Sequence, residues 1–131
     1  MMSLTNTIDQ NERVVSVDLA ILASYEEAQE VGESDFVVEL IDLYLAEVPR
    51  LFNAIHEGIT SNDWLSAKRA AHSLRGSSNN LGILRMGIIA DELEHLTGNH
   101  QAAGAELLQC LKNEFTGVKE ILVAEHQRRT P

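Results

Sequence analysis

The sequence predicts an all-α domain, an antiparallel four-helix bundle with a short additional helix at its N-terminal end. Helix-forming Ala, Leu and Glu are abundant among the 131 residues, and proline occurs only twice. Apolar residues recur at helical spacing through several segments, whereas the strict alternation that indicates strands is rare. Amphipathic segments joined by short turns favour a bundle in which each helix buries one face.

The composition indicates one domain, because 131 residues are enough to bury a sizeable core. We expect a flexible N-terminal arm over residues 1–15, the bundle over residues 16–126 and a polar tail over residues 127–131. The formal charge of −10 disfavours nucleic acid and anionic membranes as partners. No apolar run approaches the roughly 20 residues of a membrane-spanning helix, and no signal peptide is recognisable. A cytoplasmic location is therefore predicted.

The short first helix is expected to begin at Asp18, whose carboxylate can cap it. Leu19, Leu22 and Tyr25 then face inward, and the helix should end near Gly32.

Ser34 or Asp35 is predicted to begin a long second helix, since these residue types suit a helix N-terminus. Pro49 removes one backbone hydrogen bond within it and should kink it. The apolar stripe stays in phase on both sides of Pro49, so we expect one bent helix. Its inward residues are Val37, Leu40, Ile41, Tyr44, Val48, Leu51, Phe52, Ile55 and Ile59.

The remaining helices are separated by polar and glycine-containing turns. The third should be capped by Asn62 or Asp63 and end at Gly82, and the fourth and fifth are expected over residues 84–96 and 103–125. Their inward residues are Met86, Ile89, Ala90, Leu93 and Leu96, and Leu107, Leu108, Leu111, Phe115, Val118, Ile121 and Leu122. The single cysteine, Cys110, excludes an intramolecular disulfide, and its spacing predicts a buried, inert thiol.

The third helix carries a histidine on its outer face. At roughly 100° per residue, Lys68, Arg75, Gly76 and Asn79 lie close to His72 around the helix. The opposite face collects apolar or small residues, namely Ala67, Ala70, Leu74, Ser77, Ser78 and Leu81. Glycine is less favourable than alanine inside a helix by about 1 kcal/mol, so a glycine one turn after His72 calls for a reason.

The charge around this helix is unlike that of the rest of the chain. Residues 64–90 contain four basic residues and no acidic one, whereas the remainder contains six basic and twenty acidic residues. Lys68 and Arg75 stand one turn before and after His72, within reach of an anion on its ring. Nearby cations also favour the neutral, nucleophilic imidazole. The pattern predicts that an anionic group binds next to the His72 imidazole.

The segment His72–Gly82, HSLRGSSNNLG, resembles the signature of histidine-containing phosphotransfer (HPt) domains. That pattern is His, any residue, Leu or Ile, a basic residue (usually Lys), Gly, two small residues, two variable residues, Leu and Gly. A weaker resemblance extends from about Val17 to Glu125. It implies an antiparallel four-helix bundle and a phosphocarrier that exchanges phosphoryl groups with an aspartate of response-regulator receiver domains.

The resemblance assigns His72 as the phosphoacceptor, attacking through Nε2. Arg75 stands where the family usually has Lys, and Arg75 and Lys68 are expected to stabilise the phosphoryl group. Gly76 would leave clearance for the partner's active-site loop. Further docking residues are expected at Leu65, Arg69 and Asn79.

Glu94 occupies a position from which some family members contact the histidine with a polar side chain. A carboxylate there could orient Nδ1–H, but it would repel a phosphoryl group. The chain is expected to bind no cofactor, because Mg²⁺ belongs to the receiver domain. The partners implied are receiver domains and a sensor histidine kinase, which can be a hybrid kinase, and a monomer is expected. No glycine motif for ATP is present, so a carrier is expected rather than an independent kinase.

Three other interpretations explain parts of the sequence. A helical adaptor without phosphotransfer would place His72 in a contact surface only. A chemotaxis-type kinase module would carry its histidine on an earlier helix, whereas two helices precede His72 here. A di-iron bundle needs two Glu-x-x-His motifs; only Glu92–His95 matches, so no metal site is predicted. The other histidines are expected on solvated surface: His56, His95, His100 and His126.

Overall fold

The computed structural model describes residues 15–28, 35–97 and 101–130. These ranges contain a short 3₁₀ helix, Ser24–Ala28, and five α-helices: α1 (Leu19–Ala23), α2 (Phe36–Thr60), α3 (Trp64–Asn80), α4 (Leu84–Glu94) and α5 (Gln101–Arg129). No strand occurs in the described residues, and the predicted all-α class is confirmed.

Helices α2 to α5 form the bundle. Helix α3 packs against α2 and α4, and α5 packs against the same two helices, so α3 and α5 lie diagonally opposite. Short turns at residues 61–63 and 81–83 reverse the chain on either side of α3. One face of α3 is consequently left to solvent. No helix of the described part is both long and apolar enough to cross a membrane.

Aspartate side chains begin three of the helices. Asp18, Asp35 and Asp63 each accept a hydrogen bond from a first-turn backbone N–H, at 3.0, 2.9 and 3.2 Å. Such caps satisfy donors that have no partner within the helix. The expected starts of α1, α2 and α3 are therefore confirmed.

The predicted continuity of α2 and the predicted end of α3 are also confirmed. Helix α2 continues through Pro49 without interruption. Helix α3 ends at Asn80, and Gly82 has a φ of +79°, a left-handed conformation that favours glycine. A Cβ at Gly82 would lie 2.7 Å from the carbonyl oxygen of Asp18, so no side chain fits there.

The core is formed by the inner stripes of the four bundle helices. Most residues expected to face inward are buried, including Val37, Ile41, Tyr44, Val48, Phe52, Ile55, Ile59, Leu74, Met86, Ile89, Ala90, Leu93, Leu108, Leu111, Val118 and Leu122. Helix α3 contributes small buried residues, Ala67, Ala70, Ala71 and Ser78. Small side chains let α3 approach its neighbours closely.

Several sequence expectations were wrong at the edges of these stripes. Leu19 and Ile121 are exposed, because each lies beside the buried stripe of its helix rather than within it. Cys110 is exposed as well, not buried. The buried stripe of α5 passes through Leu108 and Leu111, and Cys110 falls on the solvent side of that line.

Two helix boundaries also differ from the expectation. Helix α1 ends at Ala23 and passes into the 3₁₀ segment, while Gly32 lies outside the described residues. Helix α5 begins at Gln101 and continues to Arg129, whereas the sequence predicted residues 103–125. The reason is that the Arg129 guanidinium is bound by carboxylates of three segments: Glu26, Asp35 and Glu125. The arm predicted over residues 1–15 is described only at Val15.

Candidate functional site

His72 projects from the solvent-facing side of α3. Its side chain is 62% exposed, while Ala71 and Leu74 beside it are completely buried. The core therefore fixes the rotation of α3 and with it the outward direction of the imidazole. This is the orientation that the sequence pattern predicted.

The Nδ1 atom of His72 is held by Glu94 from α4. Nδ1 lies 2.8 Å from Glu94 Oε2, and the Glu94 side chain is only 18% exposed. An ionised carboxylate only accepts hydrogen bonds, so this contact assigns the ring proton to Nδ1. Nε2 then carries the lone pair, and no described residue bonds to it.

Arg75 lies against the same side of the ring. Its Nε is 3.1 Å from Glu94 Oε1, its Nη1 is 3.4 Å from Asp91 Oδ1 and its Nη2 is 3.1 Å from His72 Nδ1. Nδ1 cannot both donate a hydrogen bond to Glu94 and accept one from Arg75. The contact with Glu94 is the shorter of the two, so we assign Nδ1 as the donor. Glu94 Oε1 is buried with no partner in hydrogen-bond geometry, so its contact with Arg75 is an ion pair.

Lys68 and Arg69 lie on the N-terminal side of His72. Together with His72, Ser73 and Glu94 they line an open concavity of about 540 Å³. Within the described residues Lys68 forms no ion pair or hydrogen bond. Its ammonium group is therefore available to an anion placed near the ring.

A sequence model of the Hpt domain family matches residues 39–121. That range contains α3, α4 and all of the contacts around His72 described above. The chain belongs to the Hpt domain family. It is accordingly a histidine phosphocarrier of phosphorelays, in which Hpt domains interact with receiver domains and kinases.

The fold of this Hpt domain is similar to that of histidine-containing phosphotransfer protein B (HptB) from Pseudomonas aeruginosa PAO1, known from a crystal structure. The TM-score is 0.74 at 24% sequence identity, covering 88% of this chain and 97% of that chain. At this identity the likeness establishes the fold. A comparison with curated proteins finds no significant match.

Gly76 and Leu65 complete the exposed face of this Hpt domain around His72. A Cβ at Gly76 would meet nothing within 4 Å, so packing within the molecule does not require glycine there. Leu65 is largely exposed, as a docking residue would be. Both features are compatible with a surface that another protein covers.

Asn79 was predicted to contact a partner protein. In the structure its side chain lies beside Gly87 of α4. A Cβ at Gly87 would lie only 1.9 Å from Asn79 Oδ1, so Gly87 is what allows this packing. The role of Gly87 was not predicted from the sequence. A glycine inside the predicted fourth helix was the available signal.

Asp91 was also missed, because its partners come from another helix and from its own C-terminal turn. It contacts Arg75 across the interface and His95 at 3.1 Å along α4. Asp91, Glu94 and His95 present ligand atoms within 4.8 Å of one another. Arg75 and the histidines already pair with these carboxylates, and the expectation of no metal here stays a prediction.

The other described histidines have ordinary surface environments. His56 is exposed on α2, His95 contacts Asp91, and His126 Nε2 lies 3.0 Å from Asp42 Oδ1. His100 lies outside the described residues. Among the described histidines, His72 alone combines an open Nε2 with a neighbouring lysine, Lys68, that has no ion-pair partner among the described residues.

Proposed function

We propose that His72 is the phosphoacceptor of this phosphocarrier and that Nε2 is the atom that reacts. The observation that carries the proposal is the 2.8 Å contact between Nδ1 and Glu94 Oε2. It leaves the Nε2 lone pair pointing away from the protein on an imidazole that is 62% exposed. A neutral imidazole in this tautomer is a nucleophile that needs no base.

The chemistry requires an in-line approach and neutralisation of charge on the phosphoryl group. The Nε2 lone pair forms the N–P bond while the bond between phosphorus and the aspartyl oxygen breaks, and the aspartate leaves as a carboxylate. We propose that the receiver domain supplies this aspartate and Mg²⁺. This chain supplies the nucleophile and a nearby cation, with Lys68 placed for that role.

The partners of this chain are proposed to be receiver domains and a sensor histidine kinase or hybrid kinase. The family to which the chain belongs supports this proposal. Leu65, Arg69 and Gly76 share one exposed face with His72, which gives a receiver domain room to dock. We further propose that the chain acts as a monomer in the cytoplasm. A bundle that only binds a partner without phosphotransfer is not favoured.

Phosphoryl transfer to His72→Gln tests the proposal directly. The protein is mixed with receiver domains carrying radiolabelled aspartyl phosphate, and label on this chain is measured before and after acid or base. We expect wild-type label that is acid-labile and base-stable, as a phosphohistidine is, and no label on His72→Gln.

His56→Gln is the matched control, because His56 is another exposed helical histidine. It should accept label as the wild type does. Label on His72→Gln at the wild-type level, or label that survives acid, would overturn the proposal.

A further inference from the structure

The charged residues around His72 differ in whether they contact its ring. Arg75 and Glu94 contact Nδ1, whereas Lys68 lines the concavity beside the ring and has no ion-pair partner among the described residues. We propose that Arg75 and Glu94 act as a pair of positioning residues, and that Lys68 rather than Arg75 is the cation that serves the phosphoryl group. This inference rests on the proposed role of His72 and adds what each neighbouring charge does.

The geometry of Arg75 carries the first step. Its three guanidinium nitrogens lie 3.1 Å from Glu94 Oε1, 3.4 Å from Asp91 Oδ1 and 3.1 Å from His72 Nδ1. Every one of these contacts is on the Nδ1 side. Because Nδ1 and Nε2 point in different directions from the ring, a phosphoryl group on Nε2 extends away from this guanidinium.

The function of Arg75 in this arrangement is to hold Glu94. Glu94 Oε2 is used by His72, and the buried Oε1 has Arg75 as its neighbour. A mostly buried carboxylate without a cationic partner is unfavourable. The ion pair therefore fixes the carboxylate in place and also balances the negative charge that would otherwise repel an incoming phosphoryl group.

Glu94 in turn controls the proton on Nδ1. When Nε2 attacks the aspartyl phosphate, the ring becomes a phosphoimidazolium that keeps its Nδ1 proton, and Glu94 lies against the new positive charge. In the reverse step the N–P bond breaks, its electron pair stays on Nε2 and neutral imidazole is released. Loss of the Nδ1 proton would make the leaving group an imidazolate anion, which departs poorly. Glu94 therefore keeps the phosphoryl group transferable.

Lys68, unlike Arg75, is not held by a carboxylate of the described residues. It stands one turn before His72, lines the open concavity beside the ring, and has no carboxylate partner among the described residues. A flexible ammonium without a partner can follow the phosphoryl oxygens, whereas the guanidinium of Arg75 is already fixed by two acids.

The tautomer of His72 is the readout that separates positioning from phosphate binding. It is measured from the ¹⁵N chemical shifts of the imidazole in the unphosphorylated protein. We expect the Nδ1–H form in the wild type and in Lys68→Ala. In Glu94→Ala and Arg75→Ala the population should shift toward the Nε2–H form, and Glu94→Gln, which keeps an acceptor oxygen, should restore Nδ1–H.

Transfer rates from phosphorylated His72 to a receiver aspartate provide the second readout. Loss of one contact between charged groups corresponds to about a tenfold slower transfer in Glu94→Ala and in Arg75→Ala. If the two residues act as one unit, the double variant should be within about twofold of the slower single variant. Combining Lys68→Ala with Glu94→Ala or with Arg75→Ala should slow transfer by the product of the two single effects, because Lys68 acts separately. Glu106→Gln, which removes an exposed carboxylate from α5, is the control and should transfer as the wild type does.

Two results would overturn the inference. One is an unchanged His72 tautomer in a folded Arg75→Ala variant, with folding checked from the amide spectrum. The other is a double variant in which transfer is slowed by the product of the Arg75→Ala and Glu94→Ala effects. Failure of wild-type His72 to accept label at all would instead contradict the proposed function, so the two failures are distinguishable.

Discussion

Packing within the molecule does not require a glycine at position 76. Gly76 lies in the middle of α3, and an added Cβ would meet nothing within 4 Å. Gly76→Ala should therefore stabilise the isolated protein by up to about 1 kcal/mol, measured by denaturant unfolding. The same methyl group should slow phosphoryl transfer from a receiver domain, because it occupies the space where that domain must approach Nε2.

Gly117 provides a matched control for this prediction. It is an exposed glycine inside α5, and a Cβ there also meets nothing within 4 Å. Gly117→Ala should give a similar gain in the free energy of unfolding and leave transfer unchanged. Equal transfer rates for Gly76→Ala and the wild type would contradict the clearance assigned to Gly76.

The residues of the site were predictable from sequence to the extent that they share one helix. Helical spacing placed His72, Lys68, Arg75 and Gly76 on a common face, because positions three and four apart are neighbours. It could not show that Arg75 turns toward α4. That contact depends on how two helices are rotated against each other, which is set by packing rather than by spacing along one of them.

At the scale of the helices, a buried hydrogen bond ties α2 to α3. Tyr44 Oη and Ser78 Oγ are 2.8 Å apart in the core, and Ser78 is completely buried. Burial raises the pKa of the Tyr44 phenol, so the hydroxyl stays protonated and able to donate. Tyr44→Phe should lower the free energy of unfolding by about 1–3 kcal/mol, because it leaves the Ser78 hydroxyl without this partner.

Ser78→Ala tests whether the loss comes from this bond. In the Tyr44→Phe/Ser78→Ala double variant, no unpaired hydroxyl is left, so the destabilisation should be less than the sum of the two single effects. Denaturant unfolding of the four proteins measures the coupling. Additive effects would show that the hydroxyl groups do not depend on each other.

The helices were predictable where a local signal marks them. The aspartate caps marked the starts of α1, α2 and α3, and Gly82 marked the end of α3. The end of α5 was not predictable, because Arg129 is held by carboxylates that are distant in sequence. Cys110 was predicted to be buried but is exposed, because a short apolar run is compatible with more than one rotation of the same helix.

At the scale of the whole molecule, an ionic cluster around Arg129 connects the end of α5 with residues that precede the bundle. The side chain of Arg129 is only 8% exposed, and its guanidinium contacts Glu26, Asp35 and Glu125. Asp35 also caps α2. The cluster therefore links the last turn of α5 to the start of the bundle and to the 3₁₀ segment.

This cluster predicts a loss of stability in acid. The hydrogen bond from Arg128 is the main reason that the pKa of Glu125 lies below the ordinary value of 4.5, and Arg129 adds to it. The unfolded chain then binds more protons than the native state near that pH, so the stabilisation is present above pH 4.5 and is lost as the pH falls through the native pKa. Denaturant unfolding at a series of pH values should show this loss, and Glu125→Gln should reduce it. An identical pH dependence in both proteins would contradict the role of Glu125.

The central claim concerns a single atom, Nε2 of His72, and it can be observed directly. The protein, labelled with ¹⁵N in its histidine rings, is phosphorylated by a receiver domain and examined by ¹⁵N and ³¹P NMR. The account predicts one phosphorylated histidine, His72, with the ³¹P–¹⁵N coupling on Nε2 and the proton retained on Nδ1. Coupling to Nδ1, or a phosphoryl group on any residue other than His72, would contradict it.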